Sequence, residues 1–123
     1  MSSRKILSVG QCMADHGQIA HLLHSTFGAE VVSRDTARES LELLRQEPFD
    51  LVLVNRVFDF DGDSGIDFIR QMNANEQLRK IPVMLVSNYE DAQARAVAAG
   101  AQPGFGKASL REPETMELLH SYL

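Results

Sequence analysis

Asp50-Leu51-Val52-Leu53-Val54-Asn55 decides how this chain is read. A short run of large aliphatics, introduced by Pro48 and ended by an amide, contains no internal polar residue. An unbroken apolar run of this length fits a strand buried on both faces, at the centre of a parallel sheet. Ligands in such sheets sit in the crevice beyond the carboxyl ends of the strands. Asn55 stands at that end, and a loop rich in Asp and Gly follows it from Arg56 to Gly65. The functional question is what an asparagine can do there.

Upstream, Ile6-Leu7-Ser8-Val9 reads as a first strand ending at Gly10-Gln11. Ile19, Leu22, Leu23, Thr26 and Phe27 then share one face at helical spacing, and Gly28 supplies the stop. Glu30-Val31-Val32-Ser33 is a polar-flanked strand that belongs near a sheet edge. Thr36 with Glu39 forms a capping box, opening a helix that turns Ala37, Leu41 and Leu44 inward. Downstream, Ile66, Ile69 and Met72 mark a helix, Ile81 to Ser87 a buried strand, and Tyr89 to Ala99 a helix stopped by Gly100. Pro82 stands at the start of its strand, where a missing donor matters least. Ala101 to Gly106 is the last strand, weakened by Pro103, Gly104 and Gly106; Pro113 opens a closing helix with Met116, Leu119 and Leu123 inward. Five repeats of strand then helix predict an α/β fold, a parallel five-stranded sheet covered on both faces by right-handed crossovers. Its open end collects Gly10, Gln11, Asn55, Ser87 and Lys107.

The whole chain, residues 1–123, reads as a single domain, long enough to bury roughly two-thirds of its unfolded surface. A net charge of −5 with no basic stripe speaks against direct nucleic acid binding. Cys12 is the only cysteine, so no internal disulfide can form and a reducing cytoplasm is the expected setting. The apolar stretch behind the basic start is too short for a signal-peptide core or a membrane span.

At these positions the chain resembles the receiver domain of two-component response regulators, the CheY-like superfamily. The resemblance is carried by Lys5-Ile6-Leu7-Ser8-Val9, Pro48 to Val54, Gly65-Ile66-Asp67-Phe68-Ile69-Arg70, Ile81 to Ser87, Ala99-Gly100-Ala101 and Lys107. It implies a flavodoxin-like doubly wound sandwich with strand order 2-1-3-4-5. It also implies a phosphoryl site: an acidic pair after the first strand that helps hold Mg²⁺, an aspartate nucleophile ending the third, a hydroxyl ending the fourth and a lysine after the fifth. Here Gly10 and Gln11 replace the acidic pair and Asn55 replaces the nucleophile, while Ser87 and Lys107 are retained. Mg²⁺ binds through carboxylates, waters and phosphate oxygens, so loss of three carboxylates removes what draws it in. An amide oxygen forms no acyl phosphate. The expectation is a degenerate receiver pocket with no cofactor. The switch aromatic of the family falls on Gly104, with Phe105 one residue later, and the proline after the lysine is Ala108.

Asp59-Phe60-Asp61-Gly62-Asp63 begins as a calcium loop does, but Ser64 and Arg70 stand where an EF-hand needs Gly and Glu. The plain reading is a solvated turn; the sharper ones are a loose divalent site on Asp59, Asp61 and Asp63, or phosphorylation of Asp59 or Asp61. Lys107 is expected to donate to the Asn55 carbonyl or to a loop acid. His21 falls on a solvated face, and His16 packs near the sheet mouth. The expected function is a phosphorylation-independent receiver-like module that binds another signalling protein, or a fused output domain, with a homodimer as a further option. A small-ligand binder or a metal-dependent enzyme at the mouth are the other classes, although no acid–base pair or nucleophile can be placed there. The resemblance also points to an interaction face on the fourth helix, fifth strand and fifth helix: Asp91, Arg95, Phe105, Glu114 and Tyr122.

Overall fold

Unbroken burial along β3 (Leu51–Asn55) sets the architecture, because a strand buried at every residue must be covered on both faces. Val52 and Val54 point into one apolar layer, and Leu51 and Leu53 into the other. The computed structural model describes residues 4–123. In chain order the elements are β1 (Lys5–Val9), α1 (Met13–Phe27), β2 (Glu30–Arg34), α2 (Ala37–Gln46), β3, α3 (Gly65–Ala74), β4 (Val83–Val86), α4 (Glu90–Ala98), β5 (Gln102–Phe105) and α5 (Pro113–His120). The strands form one sheet in the order β2-β1-β3-β4-β5, and every pairing is parallel. This is the flavodoxin-like order, with β2 at an edge as its polar flanks predict.

Helices α2, α3 and α4 cover one face through Leu43, Leu44, Phe68, Ile69, Met72, Ala92 and Ala96. Helices α1 and α5 cover the other through Ile19, Leu22, Leu23 and Leu119. Both expected caps form: the Thr36 hydroxyl accepts from the Glu39 amide at 3.2 Å, and Gly28 ends α1 at φ 66°. Cys12 caps α1, its sulfur accepting from the Asp15 amide at 3.5 Å.

The inward faces differ in detail from the expected ones. Thr26 is exposed, while Phe27 beside it packs against the core layer. In α2 Leu44 is buried as expected and Leu43 joins it, with Ala37 and Leu41 only half-buried at the margin. The weak signal at β5 matches a register shift against β4 between Met84 and Val86. A 3₁₀ turn, Lys107–Ser109, follows β5 and was not expected.

Candidate functional site

At the centre of the sheet's mouth, the end of β3 is closed by hydrogen bonds and packing between neutral groups. Asn55 is 9% exposed, and its side-chain nitrogen donates to the Gly10 carbonyl at 3.0 Å and the Val57 carbonyl at 2.8 Å. The reverse orientation would set the amide oxygen against two carbonyl oxygens, so the direction of these bonds follows from the chemistry. The Gly10 carbonyl also accepts from the Asp59 amide at 3.0 Å, which ties the loop after β3 to the end of β1.

Gly10 has φ 73°, and a Cβ built on it would drive into the Phe58 ring. Phe58 is 1% exposed and meets Phe68 edge-on, with centroids 6.1 Å apart and planes at 63°. Any side chain at position 10 would thus run into an aromatic ring of the core. Sequence reading treated the stretch from Arg56 to Gly65 as a polar loop. The one available signal was a large aromatic beside the strand end, which in such a loop serves as an anchor.

Ser87 is buried, and its hydroxyl accepts from the Tyr89 amide at 3.2 Å at the start of α4. Gln93 fastens the strands beneath it: its amide nitrogen donates to the carbonyls of Leu85, Ser87 and Phe105, and its oxygen accepts from the Gly104 amide. Gly104 lies so close to the Leu85 carbonyl that no side chain fits there.

Contrary to the expectation from sequence, Lys107 donates to neither Asn55 nor an acid of the loop after β3. Its ammonium pairs with Asp15 of α1 at 2.7 Å. The hydrogen bond from Lys107, aided by one from Cys12 and by the lysine's charge, holds the Asp15 carboxyl below its ordinary 3.8. Asp15 sits in the first turn of α1 and reads from sequence only as a helix-start acid, so its direction across to the end of β5 was not legible. The mouth therefore holds one carboxylate that sequence reading missed, already spent on the lysine.

Asn55, Ser87 and Lys107 share a cavity of about 240 Å³, with Arg56 stacked 5.0 Å over the Tyr89 ring at its rim. Gln11 opens elsewhere, onto a second cavity beside Asp35 and Asp59. Asp61 and Asp63 face a third, along α2. The Asp61 carboxylate accepts from the Asp63 amide at 3.0 Å, the bond of an Asx turn. Among the described residues no three His, Cys, Asp or Glu side chains converge as metal ligands.

On the expected interaction face, Asp91, Arg95 and Glu114 are exposed, and the half-buried Tyr122 donates its hydroxyl to Gln102 at 3.2 Å. Phe105 is a correction. It is 6% exposed and packs into the α1–α5 layer, because the register shift in β5 turns it inward. No helix is long and apolar enough to cross a membrane among the described residues.

The fold is that of response regulator receiver domains. Chemotaxis protein CheY4 of Vibrio cholerae superposes with a TM-score of 0.78 at 20% identity, over 99% of this chain and 100% of its own. A response regulator from Thermotoga maritima gives 0.79 at 22%, over 98% of each chain. NtrX from Brucella abortus gives 0.77 at 17%, over 99% of this chain but 27% of its own. No protein-family model matches the sequence, and no curated protein is significantly similar to it.

Proposed function

We propose that this chain is a receiver-like signalling module of the two-component response-regulator type that works without phosphorylation, by contact with another protein. The observation that carries the reading is the Asn55 amide. Its nitrogen binds the Gly10 and Val57 carbonyls together, in the crevice where a nucleophilic carboxylate and a bridging cation would be needed. A carboxylate there would meet two carbonyl oxygens with no donor between them. Gly10 against Phe58 leaves no room for a second acid, and the Lys107 ammonium is neutralised by Asp15. The Mg²⁺ of the family has no carboxylate partner on this wall, and the module catalyses no reaction of its own.

Its partner is another cytoplasmic signalling protein or an output domain in the same polypeptide, with a homodimer as a variant of the same contact. The fold occurs both as a whole protein, as in CheY4, and as a fraction of a longer one, as in NtrX. The exposed Asp91, Arg95 and Glu114 with Tyr122 offer the contact surface. Phosphorylation of Asp59 or Asp61 is the lesser reading, since neither lines the cavity that holds Ser87 and Lys107.

Incubation with acetyl phosphate and Mg²⁺, followed by intact-mass measurement, is expected to leave the mass unchanged, and beryllofluoride is expected to shift no amide resonance. A phosphoryl adduct at Asn55, Asp59 or Asp61 would overturn the proposal.

A further inference from the structure

The two edges of the sheet are not alike. β5 is blunted as bare edges commonly are, by Pro103 within the strand and by the register shift against β4. β2 carries neither device. It runs from Glu30 to Arg34 in unbroken register with β1 and contains no proline or lysine. The Glu30 amide donates to the Arg4 carbonyl at 2.9 Å, and the Arg34 carbonyl accepts from the Gly10 amide at 2.9 Å. Backbone groups of successive residues point to opposite sides of a strand, so Glu30, Val32 and Arg34 face β1 while Val31 and Ser33 turn their N–H and C=O outward. Among the described residues no strand lies on that side. The outward Ser33 carbonyl instead accepts from the Arg34 guanidinium at 2.7 Å. Glu30 and Ser33 are exposed, and Val31, Val32 and Arg34 are half-buried.

A regular open edge is a template for another strand, and the residues of β2 select which one. An antiparallel copy must set outward residues against outward residues, so the twofold axis passes through a residue and not between two. Centred on Val31, the pairing would set Glu30 against the partner's Val32 and Arg34 against the partner's Gly28. Centred on Ser33, it would set Arg34 against the partner's Val32. Centred on Val32, it lets Val31 exchange both backbone bonds with the partner's Ser33, joins Val32 to the partner's Val32, and sets Glu30 opposite the partner's Arg34 at both ends. Only this register opposes the two charges of the strand, and Glu30, Val32 and Arg34 share one face of the sheet there. We propose that this chain self-associates through β2, antiparallel and centred on Val32, so that two sheets become one. On pairing, Arg34 exchanges the Ser33 carbonyl for the partner's Glu30, and the freed carbonyl accepts from the partner's Val31. β2 and β5 are opposite edges of the sheet, so this contact leaves the face on α4, β5 and α5 free. It goes beyond the signalling role and does not depend on it.

One short strand pair makes a small interface of the weak, transient class. Sedimentation equilibrium of the intact chain, carried to millimolar protein, is therefore expected to show a monomer–dimer equilibrium that added salt weakens. Glu30→Arg and Arg34→Glu each set like charges opposite one another at both ends, and each is expected to raise the dissociation constant about tenfold or more. The double variant E30R/R34E reverses both signs and is expected to restore the dimer. Neither side chain belongs to the core, so all three variants are expected to keep the circular dichroism spectrum of the wild type, which separates a lost contact from a lost fold. Ser33→Pro removes an outward donor and places a ring on the edge, and is expected to abolish the dimer. The proposal is overturned by a monomer at every concentration, by a dimer that survives Ser33→Pro, or by a folded E30R/R34E that stays monomeric. A dimer lost in Arg95→Glu but kept in Ser33→Pro would place self-association on α4, β5 and α5, overturning the β2 contact while leaving the signalling reading intact.

Discussion

At the scale of the residue, an amide and a carboxylate differ by one NH₂ group for one oxygen, and at position 55 that difference reverses the electrostatics of the crevice. The Asn55 nitrogen donates to two carbonyls; a carboxylate could only accept. That Gly10, Gln11 and Asn55 bring no carboxylate to the sheet's open end was legible in the sequence, because a residue's chemistry is written in its name. Where Lys107 points was not, because the choice between Asn55, a loop acid and Asp15 depends on how α1 lies over the sheet. The Asp15–Lys107 pair has a testable sign. The carboxyl is lowered in the folded state from an ordinary 3.8, so its stabilisation is present above about pH 4 and fades as pH falls through the lowered value. Both side chains are about a third exposed, so the pair is screened and contributes roughly 1 kcal/mol or less. Urea denaturation of the wild type and Asp15→Asn is expected to show the wild type more stable at pH 7 by that margin. The gap is expected to narrow as pH falls below 3.8; a gap that does not change with pH would assign the effect to something other than the ionised carboxylate.

At the scale of the element, period and punctuation carried most of the fold. The unbroken aliphatics of β3, the Thr36 box and the Gly28 stop each state a local preference, and the structure keeps all three. Leu43 is buried with Ser40 and Leu44 while Leu41 is only half-buried, because the arc of α2 turned to the sheet is centred on those three residues and Leu41 falls at its margin. β5 was weak in sequence for the reason it is irregular in space: Pro103 lacks a donor and Gly104 lies against a neighbouring carbonyl. Close approach matters equally at Gly65, the first residue of α3, where a Cβ would collide with the Asn55 carbonyl and crowd Val54. Gly65→Ala is therefore expected to destabilise by about 2 kcal/mol through overpacking, despite alanine's better helix propensity. The check is the urea midpoint. An unchanged midpoint would show that α3 can move off the end of β3 without cost.

At the scale of the whole molecule, the three-layer frame and the chemistry at its mouth are separable. The frame needs only apolar strands and covering helices, and all of these are present. At the mouth, the buried ring of Phe58 lies against Gly10, so the two positions form one packing unit. If that is so, Gly10 and Phe58 are coupled. Gly10→Ala places a side chain at φ 73° and against the ring, which is expected to cost about 3 kcal/mol from backbone strain and overpacking together. Phe58→Ala removes a fully buried ring, at a cost of roughly 3–5 kcal/mol. In the double variant the new methyl enters space the ring has left, so the two costs are expected to fall short of their sum by more than about 1 kcal/mol. Simple additivity in this double-mutant cycle would mean that the ring does not exclude a side chain from position 10. The first acid of a receiver could then be restored without disturbing the core, and the closed mouth would be a matter of residue chemistry alone.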